Sequence, residues 1–483
     1  MKDKFIIGID GGTQSSKVVI FNTKGDIICQ ATEKLKPLHM PSLGVAEHPD
    51  EDLWDSLAIA SRKALAKFPF DKKDIIGVGV CTIRCCGVVL KKDGALAQPA
   101  MNWMDQRLGR KYEHTNKEVG YVTTTTGYTS YRLTGNFYDT SANLQGPWWP
   151  IDKVKWQWFE DEEKFNQFGI PKEMLFELKN PGEVVGHITE KASEDTHIPL
   201  GLPVIITAND KAVEALGAGL KDKNVGLVSL GTYICTMVCG EEMKIGNEHS
   251  WSNMANIPYE YIYESKGIRR GMSTVSWVKD LAGSGLVEEA KEKGISPEEL
   301  LNKEAEKISP GCYGLMTVLE WLGKPFEPFK RGIMIGFEGR HERAAMYRSI
   351  LEGIAMTSKN RLFPAVEELD IDLEKVIISG GGSNSDLFMQ IFADVFGIKT
   401  VRNVVNGSAG LGSAISVAVG LGIYEDYNEA TENMVKIRDT FYPNMENHEF
   451  YDKLNEHVYK DITVYTDKIL QKSYEIFDEY NKF

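Results

Sequence analysis

Three clusters in this sequence carry residue types that handle phosphate and protons. The first is Ile9-Asp10-Gly11-Gly12-Thr13-Gln14-Ser15-Ser16-Lys17-Val18, where an acid, two glycines and hydroxyls interrupt two apolar runs. Glycine tolerates φ > 0 and close backbone approach, so this pattern predicts two strands joined by a tight turn. Exposed N–H groups in the turn, with the Thr13, Ser15 and Ser16 hydroxyls, suit phosphate oxygens. Asp10, at the strand's end, suits a hydrated divalent cation on those phosphates. For this window alone an ordinary Gly-rich hairpin is the alternative. The second cluster is Ala208-Asn209-Asp210-Lys211, directly after the apolar Val204–Thr207 and before a small-residue run. Strand, acid, helix is how an α/β fold presents a reactive carboxylate at a cleft; a plain helix cap is the alternative. The third is Gly380-Gly381-Gly382-Ser383-Asn384-Ser385, whose glycines let a flat ring or a phosphate approach the backbone before a helix.

These groups need a frame, and the pattern predicts an α/β one. Asp26 to Glu33 continues the opening hairpin as a third strand. Asp50 is placed to cap a helix through Leu53, Leu57 and Leu65, and Ile75 to Thr82 is a buried strand that Gly87 to Leu90 resumes. A short basic helix is expected from Leu108 to Lys117. Val225 to Val238 repeats the strand, Gly-Thr turn, strand pattern of the start, with Gly231-Thr232 at its turn. Two such hairpins facing each other would grip a polyphosphate from both sides, although apolar–Gly–Thr–apolar also arises by chance. The second half is more helical, with long amphipathic stretches at Ser273–Ala282, Pro297–Ile308 and Arg340–Val366. Residues 446–483 are expected as an outer helical tail.

The 483 residues exceed one ordinary core, so two domains are expected. A formal charge of −14 argues against a nucleic-acid partner, and no window approaches the ~18 consecutive apolar residues of a membrane span. The start runs directly into a strand with no signal peptide, and seven cysteines, an odd number, fit a reducing, cytoplasmic setting. Cys81, Cys85 and Cys86, and Cys235 with Cys239, match no zinc spacing; buried free thiols are the preferred reading over a metal site. The phosphate loop G-x-x-x-x-G-K-[ST] and the dinucleotide fingerprint G-x-G-x-x-G opening a helix are both missing, which excludes a dehydrogenase of that type.

Taken in order, several motifs give a resemblance. Asp10 to Lys17, Trp103-x-Asp105-Gln106-Arg107, Tyr131-Arg132-Leu133-Thr134-Gly135, Asp210 before Ala215–Gly219, Ser229-Leu230-Gly231-Thr232, and Gly380–Ser383 through Gln390-x-x-Ala393-Asp394-Val395 together resemble the FGGY family of carbohydrate kinases. The resemblance spans almost the whole chain. It implies two actin-like (ribonuclease-H-like) domains, assigned here to residues 1–248 and 249–445, with ATP and a small sugar or polyol in the cleft. Asp10 would then hold Mg²⁺ through water, and Thr13 with Ser16 would face the γ-phosphate. Gly12, Ser15 and Lys17 would lie beside them, with Gly231 and Thr232 opposite. Gly381, Gly382, Asn384 and Ser385 would flank the adenosine. Asp210 would accept the proton of the attacking hydroxyl, and Arg84, Cys85, Trp103, Asp105 and Lys211 would line the sugar site. Gly271 is off by one position from the family's phosphate glycine.

The departures concern the sugar. Xylulose kinases show Met-His-Gly after the Ile75–Thr82 strand and glycerol kinases show Arg-Glu, whereas this chain has Ile83-Arg84-Cys85-Cys86-Gly87. Arg84 thus matches the glycerol-kinase arginine without its acid, and the segment between Arg107 and Tyr131 is short. A ketose such as xylulose is the leading expectation. Gluconate, glycerol or another acidic or unusual sugar remains open, because arginine favours carboxylate. A non-catalytic actin-like ATP-binding protein is the rival class, which Asp210 argues against. A homodimer is left open.

Overall fold

The computed structural model describes residues 3–42, 44–323, 327–480 and 482. Its first sheet contains β1 (Phe5–Gly11), β2 (Ser15–Asn22), β3 (Ile27–Lys34), β4 (Ile75–Thr82), β5 (Val184–His187) and β6 (Pro203–Asn209), in the spatial order β5-β6-β4-β1-β2-β3. β1 to β3 run antiparallel, and β4 and β6 join parallel to β1. The period of two splits β1 cleanly. Phe5, Ile7 and Ile9 pack on helix α1 (Asp52–Ala66) through Trp54 and Leu57, while Ile6 turns to the other face. α2 (Thr125–Thr134) packs on the same face as α1, against β4, β5 and β6, through Tyr128 and Leu133, and α3 (Asp210–Ala218) leaves the end of β6 directly.

The second sheet repeats the plan. β7 (Val225–Leu230), β8 (Ile234–Gly240), β9 (Ser250–Met254), β10 (Tyr261–Ser265), β11 (Lys375–Ser379), β12 (Thr400–Asn403) and β13 (Ile437–Phe441) lie in the order β9-β10-β8-β7-β11-β12-β13. Again an antiparallel trio (β10, β8, β7) is extended by two parallel strands (β11, β12). The internal echo of the sequence is therefore an architectural duplication. The first hairpin leaves four residues, 12–15, inside its last pair (Gly11 with Ser16), and the second leaves three, 231–233, inside its own (Leu230 with Ile234). The helices of this half include α4 (Gly271–Glu292), α5 (Arg343–Glu368), α6 (Asp386–Phe396), α7 (Ser408–Gly420) and α8 (Ile462–Glu479).

α7 does not stay with its own sheet. Its Leu411, Ala414 and Ile415 share a core with Ile6, Val19, Phe21 and Ile205 of the first sheet. Contact is backbone to backbone: a Cβ on Gly8 would collide with the Gly410 carbonyl, and one on Gly79 with that of Ser413. α3 crosses α7 the same way, with Gly217 against Ser408 and Gly412 against Val213.

Several expectations need correction. Residues 225–248 belong to the second sheet, so a boundary at 248 cuts through it; the passage between sheets falls after α3. The tail is not a separate unit, since the Tyr451 hydroxyl donates to buried Glu352 at 2.7 Å and that of Tyr459 to the Thr317 carbonyl at 2.8 Å. Val88–Lys91 leaves the sheet of β4 and pairs with Val119–Thr123. Asp50 has φ of 51° and caps nothing; Glu51 precedes α1, without a side-chain bond. Beyond a 3-10 turn at Gln106–Gly109 there is no helix up to Lys117, a stretch without an apolar stripe to pack. All seven cysteines are free, five of them buried, and no group of three or more metal-ligating side chains occurs among the described residues. No helix there is long and apolar enough to cross a membrane.

Candidate active site

In the first hairpin Asp10 pairs in register with Lys17, and Gly11 with Ser16. Strand parity then sorts the side chains. Asp10, Ser15 and Lys17 share the side that faces α7, and Lys17 Nζ comes within 2.8 Å of where a Cβ on Gly407 would stand, just before α7. Gly12 closes the turn with its N–H on the Ser15 carbonyl at 3.0 Å, and Thr13 stays partly open at the tip. Ser16 faces the opposite side, with Val18 and Ile20; its hydroxyl is buried against Ser56 of α1 at 2.8 Å. The expectation that Ser16 meets a γ-phosphate is corrected by this parity. Burial pushes the Asp10 carboxyl up to about 6, helped by the charge of Asp210 and opposed by Lys17.

Asp210 opens α3. Asn209, the last residue of β6, caps that helix by accepting from the Lys211 and Ala212 N–H groups at 3.2 Å. Burial raises the Asp210 pKa, while Arg84 and Lys211 pull it back. Arg84 lies on the loop after β4. That loop is pinned by Ile83, whose N–H donates to the Gly11 carbonyl at 2.8 Å and whose carbonyl accepts from Thr125 Oγ1 at 2.8 Å and Asn143 Nδ2 at 3.3 Å. Arg84 Nε is 4.0 Å from Asp210 Oδ1. Its two terminal nitrogens donate to Glu264 of β10 at 2.6 and 2.7 Å, and its guanidinium lies 5.1 Å from the Trp251 ring centre. Burial opposes the charge, but Glu264 and Asp210 outweigh it and hold the Arg84 pKa well above its ordinary value. Cys85, at φ of 59°, points its thiol at Gln145 Oε1 (3.4 Å). Burial pushes that thiol up to about 11, so it is no nucleophile at neutral pH. Gln145 donates in turn to Asn253, whose amide nitrogen is buried and without a partner.

Lys211 turns away from this wall. Its ammonium donates to Glu214 at 2.8 Å and to Ser229 at 2.7 Å, and the Ser229 hydroxyl donates to Glu214 at 2.7 Å. By register, Ser229 and Cys235 of the second hairpin occupy the places of Asp10 and Lys17 in the first. The duplicated hairpin keeps the geometry and exchanges the chemistry. Gly231 and Thr232 form its open tip. Gly271 starts α4 pressed on Ile234, where a Cβ would collide, and the next N–H donates to the Gly231 carbonyl at 3.3 Å. Gly271 therefore acts as a packing glycine beneath the tip.

At the third cluster, Gly380 has φ of 94° and sits on the Leu230 carbonyl, so only glycine fits. Gly381 has open space where a Cβ would be, whereas Gly382 packs on Leu230 and Met272. Ser385 caps α6 and donates to Asn302 at 2.9 Å; Asn384 accepts from Asn406 at 2.6 Å. Asp105 is fully engaged elsewhere, taking the Ala46 N–H at 2.9 Å and the Arg107 guanidinium at 2.6 Å. Trp103 beside it is 45% exposed. Residues 110–116 run as an extended wall along a cavity of about 280 Å³ floored by Met101 and Trp148.

Residue reading missed Glu264, Glu214, Gln145 and Asn253. None sits in a motif; Glu214 meets Lys211 one turn along its own helix, whereas Glu264, Gln145 and Asn253 meet their partners only through the fold.

Two sheets of this topology, each led by a tight hairpin and joined through crossed helices, define a two-domain protein of actin-like, ribonuclease-H-like fold. The sequence models of the "FGGY family of carbohydrate kinases" match residues 5–124 with the N-terminal domain and 226–421 with the C-terminal domain. The chain belongs to this family and is a carbohydrate kinase. It is 50% identical over 476 residues to "Uncharacterized sugar kinase YgcE" of Escherichia coli, covering 99% of this chain and 96% of that protein. A xylulose kinase of Lactococcus lactis is 25% identical over 98% of this chain and 99% of its own. Among solved structures, a gluconate kinase from Lactobacillus acidophilus superposes with a TM-score of 0.81 at 18% identity, covering 98% of this chain and all of that one. A xylulose kinase from Rhodospirillum rubrum gives 0.79 at 20%, covering 97% and 100%.

Proposed function

We propose that this kinase transfers the γ-phosphoryl group of ATP to a hydroxyl of a neutral ketose or polyol. The observation that carries the substrate class is the Arg84–Glu264 pair. With both terminal nitrogens on one carboxylate and Nε near another, Arg84 has no spare charge for an acidic sugar and serves better as a donor to hydroxyl oxygens.

In this reading the substrate hydroxyl oxygen attacks the γ-phosphorus, the bond to the β,γ-bridging oxygen breaks, ADP leaves and the hydroxyl proton passes to Asp210. A carboxylate is a weak base, but phosphoryl transfer depends mainly on positioning and charge neutralisation. Lys17 and the N–H groups of Thr13 and Gln14 bind the phosphates on one side, with Gly231 and Thr232 on the other. Gly381 leaves room for the flat adenine ring, and the Asn384 and Ser385 backbone borders it. Asp10 offers a single carboxylate beside Lys17, which suits Mg²⁺ held mostly by ATP and water rather than a protein cage. That ion would neutralise phosphate charge. Seven unpaired thiols support a reducing, cytoplasmic setting.

One observation favours an acidic sugar instead: Lys153, on the Cys85 side of the cleft, has its pKa lowered by burial and has no carboxylate partner among the described residues. A screen of neutral ketoses, polyols and sugar acids for ADP release, with and without Mg²⁺, tests both. Turnover confined to neutral substrates is expected. Preference for sugar acids that disappears in Lys153→Met would replace this reading, and no turnover with any substrate despite ATP binding would favour the non-catalytic one.

A further inference from the structure

Helix α8 closes the described chain with one face docked and one bare. On the docked side Asp467 pairs with Lys330 at 3.4 Å, and Arg331 lies 6.0 Å from the Tyr474 ring centre. On the outer side Tyr465, Ile469, Ile476 and Tyr480 are 72%, 69%, 58% and 65% exposed. At 100° per residue these four fall within about 60° of arc, a continuous apolar stripe. Tyr480 follows the last helical residue, but its N–H still bonds the Ile476 carbonyl, so it stays on the stripe.

The stripe reads the same in both directions: tyrosine, isoleucine, isoleucine, tyrosine, symmetric about the midpoint between Lys472 and Ser473. A surface that must meet a copy of itself across a two-fold axis needs this property, because residue i then contacts residue j and j contacts i. The charges agree. Along one flank run Lys468, Lys472, Glu475 and Glu479, all exposed, basic first and acidic last. Glu475 also accepts from Gln471 at 3.2 Å on its own helix. When two such helices pair antiparallel, like flanks face each other, which sets Lys468 between the partner's Glu475 and Glu479, while the two Lys472 side chains come together beside the axis.

We infer that two copies of this chain associate through antiparallel α8 helices, with Tyr465 on the partner's Tyr480, Ile469 on the partner's Ile476, and Ser473 beside the two-fold axis. The contact is one helix wide, below the size of a standard stable interface, so the dimer dissociates on dilution. It is remote in sequence from every residue assigned to phosphate or sugar and does not depend on which sugar is used.

Sedimentation velocity over a concentration series tests the dimer, with kinase activity or a thermal melt reporting that each variant folds. The wild type is expected to move from 54.1 kDa toward twice that mass as concentration rises, and Ile469→Asp to stay monomeric. The all-acidic variant Lys468→Glu/Lys472→Glu and the all-basic variant Glu475→Lys/Glu479→Lys should each be monomeric alone and dimerise when mixed. Under mild oxidation Ser473→Cys should cross-link, whereas Tyr465→Cys, about 22 Å from its symmetry mate along the helix, should not. A wild type that stays monomeric at all concentrations, a dimer that survives Ile469→Asp, or charge variants that fail to pair when mixed would overturn the proposal. Efficient cross-linking through Tyr465→Cys would overturn the antiparallel arrangement.

Discussion

Arg84 and Glu264 lie 180 residues apart, one on a loop of the first sheet and one within the second, and meet through two charge-assisted bonds of 2.6 and 2.7 Å. The pair spans the duplicated halves at the wall of the cleft. Each partner is costly without the other, since the Glu264 side chain has no exposed surface.

Glu264→Ala should therefore lower folding stability by about 3–5 kcal/mol, measured by chemical denaturation. It should also give Arg84 a free charge. Inhibition by sugar acids or inorganic phosphate should tighten while kcat/KM for the neutral substrate falls. Unchanged selectivity between neutral and acidic sugars in a folded variant would show that the pair does not set substrate charge.

Asp210→Asn should reduce kcat by roughly 10²–10⁴-fold, with nucleotide affinity by calorimetry nearly unaltered. Asn209 rather than Asp210 caps α3, so the variant should fold normally. More than about a tenth of the wild-type kcat would remove Asp210 from the proton-accepting role.

Asp10 predicts an acid limb. With its pKa at about 6 in the ligand-free protein, kcat/KM should fall as pH drops through that value. Higher Mg²⁺ should move the limb to lower pH, because a cation favours the carboxylate. The stability effect has the opposite sense. A carboxyl raised above its unfolded value of 3.8 binds its proton more tightly in the native state, so its contribution is present below about 3.8 and is lost as pH rises through 6. In EDTA at pH 7.5, Asp10→Asn should melt higher than wild type despite being inactive. A lower melting temperature would contradict the assignment.

Lys211 and Glu214 form a second buried pair, 14% and 16% exposed, whose lysine pKa is held up by Glu214 against the effect of burial. Lys211→Met should destabilise by about 3–5 kcal/mol. Adding Glu214→Leu should recover part of that loss, because the orphaned charge is then gone. Fully additive losses in a double-mutant cycle would show that the pair is not coupled.

Much of this was legible in the residues. The strands ending at Gly11, Thr82, Asn209 and Ser379 follow from apolar runs stopped by small or polar residues, and the second hairpin is visible because it repeats the first. Ser16 was within reach too, since counting by twos from Val18 and Ile20 puts it on the α1 face. What stayed hidden depends on long-range pairing. Glu264 is an acid inside an apolar strand, and nothing local says that an arginine 180 residues earlier compensates it. The boundary at 248 missed because the passage between sheets carries no linker composition. The helix expected over 108–117 rested on charge alone, without the apolar stripe that would make it pack.

The seat of α7 on Gly8, Gly79 and Gly217 bears on the order in which the protein can be made. The first sheet and α3 are complete by residue 218, but the face formed by Ile6, Val19, Phe21 and Ile205 waits for a helix about 190 residues later. During translation at ≈ 5–20 residues per second, that apolar face stays uncovered for roughly 10–40 s. The N-terminal half therefore cannot finish folding as it emerges, and when expressed alone it should aggregate unless Ser408–Gly420 is supplied.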